Sequence, residues 1–148
     1  MKKEILLKFC WDYLNKRTER LQERSVSLQE SLNSETKSSA GDKHETGRAM
    51  VQLEQEKLGK QLFELEEIKR VLQKVDIKKT SKKISLGSLI KTTSANYFIA
   101  ISAGTVKRDD ISIFCISAGS PIGKLLLGKQ QGDLFSFNGT EIKILDVN

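Results

Sequence analysis

The sequence predicts an α+β protein: an N-terminal antiparallel coiled-coil helical hairpin over residues 1–76, a basic linker over 77–83, and a small α+β domain over 84–148. Three observations carry this reading. Leucines recur at heptad spacing on both sides of a short polar break, helical periodicity stops at a run of lysines, and the remainder alternates strand-like runs with turn residues.

From Lys3 to about Asn33 there is no proline or glycine, and Leu, Lys, Glu, Gln and Arg dominate, all good helix formers. Leu7, Leu14, Leu21 and Leu28 form one seam position, and Trp11, Thr18, Ser25 and Leu32 the other, so the stripe is weak in its middle. A second helix from about Lys43 to Val75 repeats Val51, Leu58, Leu65 and Leu72, with Glu54, Gln61, Ile68 and Val75 beside them. Two stripes of similar length joined by a short turn bury each other's apolar face within one chain, which predicts a monomer and a rod on the order of 45 Å long. Gly59, inside the second helix, has no evident reason to be there.

Residues 38–47, from Ser38 to Gly47, are the expected tip. Gly41 breaks the helical pattern and Asp42 stands where an N-capping residue would, with Glu45 three residues on. In one reading the two are an acidic capping box that satisfies backbone N–H groups and suits the helix dipole. In the other they are oxygen ligands for a hard divalent cation such as magnesium, which is commonly held by one or two carboxylates. The sole histidine, His44, lies between them and invites a transition-metal reading, set against that of a solvated tip residue.

The segment Lys78-Lys79-Thr80-Ser81-Lys82-Lys83 reads as a linker. Strand runs follow at Ile84–Thr92, Asn96–Ala103 and Ile111–Ser117, the last two separated by a charged turn, Lys107-Arg108-Asp109-Asp110. Ser120 and Pro121 open a short helix as cap and first residue, ending near Gly128. Asn138-Gly139 joins Leu134–Phe137 to Glu141–Val147 as a tight hairpin, giving about five strands in all.

With 30% charged and 38% hydrophobic residues the composition is that of a soluble protein, and no apolar run is long enough for a membrane span or a signal peptide, so the cytoplasm is the default. Cys10 and Cys115 suggest neither a disulfide framework nor a metal-ligand spacing. Charge is uneven: 15 Lys and Arg against 14 Asp and Glu up to Asp76, a net of +1, and 10 against 5 from Ile77 on, a net of +5. The second half is the part attracted to acidic protein or to phosphate, without the dense basic runs of a dedicated nucleic-acid binder.

The stretch from Ile116 to Asp133, with Ser120-Pro121-Ile122-Gly123-Lys124 and Gly128-Lys129-Gln130-Gln131-Gly132-Asp133, resembles the C-terminal signature of the GreA/GreB family of bacterial transcript cleavage factors. Gly41-Asp42-x-x-Glu45 is similar to that family's acidic coiled-coil tip. The resemblance implies an FKBP-like C-terminal domain docked at the secondary channel of RNA polymerase, through Ser120, Pro121, Lys124 and Lys129, and a coiled coil that enters the channel. It implies that Asp42 and Glu45 help hold a magnesium ion shared with the polymerase near the 3′ end of nascent RNA, stimulating the polymerase's own cleavage of backtracked transcripts, with no tightly bound cofactor. Lys43, His44, Thr46 and Gly47 depart from cleavage-competent members, whose tip continues through an Asn and an aromatic residue. A channel-occupying regulator without cleavage activity is the alternative. An FKBP-like prolyl isomerase is a third, disfavoured because the second half offers few aromatics for such a pocket.

Overall fold

The computed structural model describes residues 1–37 and 41–148, with the side chains of 35–45 outside the described residues. The fold is α+β: α1 (Lys3–Lys37), α2 (Gly41–Gln73), β1 (Leu89–Thr92), β2 (Asn96–Ala100), β3 (Gly104–Arg108), β4 (Ile111–Ser117), α3 (Pro121–Leu126), β5 (Leu134–Phe137) and β6 (Thr140–Val147). Packing divides the chain within the two long helices: Leu14–Lys69 is one unit, and Met1–Tyr13 joins Arg70–Asn148 in the other.

In the helical unit the heptad stripes face inward. Leu14, Leu58 and Leu65 are buried, and Leu21, Leu28 and Val51 half-buried. The Arg24 guanidinium meets the Glu54 carboxylate at 3.2 Å, and Gln55 Nε2 donates to Gln29 Oε1 at 3.2 Å, so residues in the twenties oppose residues in the fifties as an antiparallel pair requires. Thr18, a weak point of the seam, is half-buried and donates its hydroxyl to the Leu14 carbonyl at 2.9 Å, which satisfies it without a partner on α2. Gln61 is exposed where the seam needs an apolar residue, and Leu62 is half-buried instead. A straight helix drifts against a strict seven-residue repeat, so the buried stripe moves one position on.

The other unit carries a six-stranded sheet in the order β3-β4-β2-β1-β6-β5, with β2 and β4 parallel and the remaining neighbours antiparallel. The sixth strand, β3, departs from the five expected. Lys107 and Arg108 belong to it, and the turn is Asp109-Asp110 alone, with Asp109 at φ 52°. A strand with one buried apolar residue, Val106, gives no alternation to read. The Asn138-Gly139 turn forms as expected, with both residues at positive φ. Thr92, buried at the β1–β2 turn, accepts from the Ser94 and Ala95 amides and donates to the Ala95 carbonyl, so its hydroxyl is fully used.

The sheet has two apolar faces. Tyr97 and Ile99 of β2 pack with Ile122 and Leu126 of α3, and with Ile84, Ile90, Phe135, Ile142 and Ile144. Alternate residues face the other way: Phe98 pairs in register with Cys115, and Cys115 lies beside Cys10 of α1. Both cysteines are free and buried, and the Cys10 contact together with burial pushes the Cys115 thiol far up, so it stays protonated. Leu6 and Leu72, from the two helix bases, are fully buried in the same unit.

Gly59 remains without a steric purpose, since a Cβ there would meet nothing within 4 Å. Gly59→Ala is expected to raise stability by roughly 0.5–1 kcal/mol through the lower backbone entropy of the unfolded chain, checked by urea denaturation.

Candidate functional site

Two places were singled out in the sequence. The first is the carboxylate pair. α2 begins at Gly41, two residues earlier than expected, which puts Asp42 in its first turn and Glu45 at the start of its second. Positions three apart on a helix are surface neighbours, and negative charge in a first turn is favoured by the helix dipole. The side chains of Asp42, Lys43, His44 and Glu45 lie outside the described residues, and with them the capping, magnesium and transition-metal readings. Among the described residues no cluster of three or more His, Cys, Asp or Glu could hold a metal ion.

The second is the block that follows β4. As the sequence predicts, Ser120 is the N-cap of α3, with φ −66° and ψ 157°, and Pro121 is in the first turn. Its Oγ accepts from the Gly123 amide at 3.1 Å and donates to the Ser117 carbonyl at 2.7 Å. The Ser120 hydroxyl is therefore committed to closing the turn between strand and helix. Gly123 is required there: a Cβ would collide with the Ser117 carbonyl oxygen and stand 2.8 Å from Ser120 Oγ.

Beyond α3 the chain is tied back at each step. The Gly128 amide donates to the Ile84 carbonyl at 2.9 Å and the Ile84 amide to the Lys129 carbonyl at 2.8 Å, which fastens the end of the linker to the block. Asp133 Oδ2 accepts from the Gln130 amide at 2.9 Å, and the Gly132 amide donates to the Ile144 carbonyl at 2.8 Å. These bonds leave a rigid turn assembly whose chemistry toward solvent lies in a few side chains.

Lys124 is one of them, exposed in the last turn of α3 where positive charge suits the dipole. Lys129 differs: it is half-buried, with Nζ 5.9 Å from the centre of the Phe135 ring, a cation–π contact that holds its stem against the domain. Of the three leucines after Lys124, Leu126 is buried, Leu125 half-buried and Leu127 39% exposed. Leu134, after the block, is 57% exposed. Sequence reasoning passed over both exposed leucines, because a run of three apolar residues in so short a helix does not say which one faces out.

Gly123→Ala should lower stability by about 1–3 kcal/mol through the forced shift of the Ser117 carbonyl, and Ser120→Ala by about 1 kcal/mol through loss of the cap. Equilibrium urea unfolding of the two variants checks both values.

No protein-family model matches the sequence, and no match is found among curated proteins. Among solved structures the chain is similar to that of the transcription factor Gfh1, at 21% identity over 93% of this chain and 92% of that one, with a TM-score of 0.36. A likeness of that size carries no functional argument, and function rests on the residues themselves.

Proposed function

We propose that this protein is a transcription elongation factor that binds RNA polymerase and presents Asp42 and Glu45 to the polymerase active site through the secondary channel, stimulating cleavage of backtracked RNA. The observation that carries the reading is the position of the two carboxylates: both fall within the first five residues of α2, the second of two helices of 35 and 33 residues whose cross-links run antiparallel. The Ser120-Pro121 block supports it, because the stretch that resembles the Gre signature folds as a self-bonded unit that presents Lys124.

Two carboxylates three residues apart fit a magnesium ion that keeps most of its waters and takes further ligands from another macromolecule. When bound beside the polymerase's own ion, such an ion activates water and stabilises the charge that develops on the scissile phosphate. The part of this chain is to supply negative charge at a fixed spacing. On this reading the protein is not itself an enzyme, and the hydrolysis belongs to the polymerase.

A second reading keeps polymerase binding and drops cleavage. Lys43, between the carboxylates in sequence, brings a positive charge that opposes recruitment of a cation, and Thr46 and Gly47 stand where cleavage-competent relatives of the resembled family continue differently.

The carboxylate test uses stalled, backtracked elongation complexes across a magnesium titration. Asp42→Asn and Glu45→Gln keep side-chain size and a hydrogen-bonding oxygen and remove formal charge, so each is expected to lower cleavage stimulation by at least roughly tenfold while stability changes by less than about 0.5 kcal/mol. An inactive wild type favours the non-cleaving regulator; active wild type with equally active variants removes these carboxylates from the chemistry. Docking is tested separately. Reversing Lys124 and Lys129 to Glu should weaken polymerase association more than reversing Lys78 and Lys79, measured by competition binding at two salt concentrations. Equal losses would assign binding to net charge alone.

A further inference from the structure

β3 is the terminal strand of the sheet, paired with β4 on one side only. Such an edge offers backbone N–H and C=O groups to an added strand. Val106 is in register with Ile113, which shares its sheet face with Cys115, and Cys115 meets Cys10 of α1. The apolar side of β3 and the first turns of α1 are thus on the same side of the sheet, opposite α3. Between them runs a cleft of about 430 Å³, with Ile5, Lys8 and Phe9 on the α1 wall and Val106, Lys107 and Arg108 on the β3 wall. A second hollow of about 370 Å³ shares Ile5 and Arg108 with the first and extends past Lys2 and Ile111.

The trough has an apolar floor and a cationic rim. Ile5 and Phe9 are half-buried, and Ile111 is 43% exposed. Around them stand Lys2, Lys8, Lys107 and Arg108 against two carboxylates, Asp12 and Asp109. Among the described residues, no ion pair or side-chain hydrogen bond engages these four cations. That charge balance selects the occupant. A second copy of β3 would crowd two more cations, its own Lys107 and Arg108, into the same short seam, which opposes self-pairing. A phosphodiester chain would answer the cations, but its linkages accept hydrogen bonds and donate none, leaving the carbonyls of a strand edge unmatched. A peptide strand with acidic side chains satisfies both the edge and the rim.

We propose that this trough binds an extended acidic segment of a partner protein, which adds as a strand to β3 and seats alternate apolar side chains against Ile5, Phe9 and Val106. The rim cations steer the segment and set its charge preference. This surface lies on the opposite side of the sheet from the α3 block and does not depend on the carboxylates of α2.

The test titrates the ¹⁵N-labelled full-length protein with three probes: an acetylated heptapeptide alternating Glu and Val, its counterpart alternating Lys and Val, and a single-stranded RNA heptamer. The Glu peptide is expected to bind saturably, to shift the amides of residues 104–108, and to slow their hydrogen exchange. Reversing Lys107 and Arg108 to Glu should weaken it by roughly tenfold at low salt, and should turn the preference toward the Lys peptide. Lys8→Glu, on the helix wall and away from the strand, should weaken it by roughly fivefold, so the outcome does not hang on one variant folding. No saturable binding of the Glu peptide at millimolar concentration, binding that maps away from residues 104–108, or binding indifferent to every reversal would overturn the proposal. Binding of the RNA at this trough without binding of the Glu peptide would overturn it as well.

Discussion

The structure depends on the burial of the helix bases against one face of the sheet. Leu6, Cys10 and Leu72 are fully buried in the unit that holds Phe98 and Cys115, and the Cys10–Cys115 contact ties α1 directly to β4. Fully burying a leucine or phenylalanine side chain contributes about 1.5–3 kcal/mol, and a six-stranded sheet with one face uncovered would forgo several such contributions. The other face is closed by α3, a helix of six residues, together with Ile84 and Leu86 from the segment before β1. The consequence is that residues near the N-terminus complete a domain made otherwise from the second half of the chain.

That long-range closure is also what the sequence conceals. Heptads at Leu14, Leu58 and Leu65 are readable because both the pattern and its partner are periodic, and Asn138-Gly139 and Ser120-Pro121 are readable because each fixes a backbone conformation locally. Leu6 and Cys10 lie beside the heptad stripe, and their burial is decided by strands in the second half of the chain. β3 escaped for a related reason: an edge strand that carries Lys107 and Arg108 looks like a turn until its pairing with β4 is seen. In the α3 block, the cap was legible from Ser120 and Pro121. The cation–π seat of Lys129 was not, because it requires Phe135 to be brought back by the hairpin.

A division of labour follows between residues that build and residues that remain free to act. Ser120, Pro121 and Gly123 are consumed in joining β4 to α3, so the part of the block resembling a known signature serves partly as architecture. Lys124, Leu127 and Leu134 are left on its surface. Asp42 and Glu45 fall within the first five residues of α2.

The central claim is that the segment between α1 and α2 reaches the catalytic centre of RNA polymerase. Electron cryo-microscopy of the full-length protein bound to a stalled bacterial elongation complex tests it most directly. The account predicts residues 38–47 inside the secondary channel, with the carboxylates of Asp42 and Glu45 within about 5 Å of a catalytic magnesium ion, near enough to bind it directly or through one water. A complex in which the hairpin lies outside the channel, or in which those carboxylates face away from the ion, would contradict it.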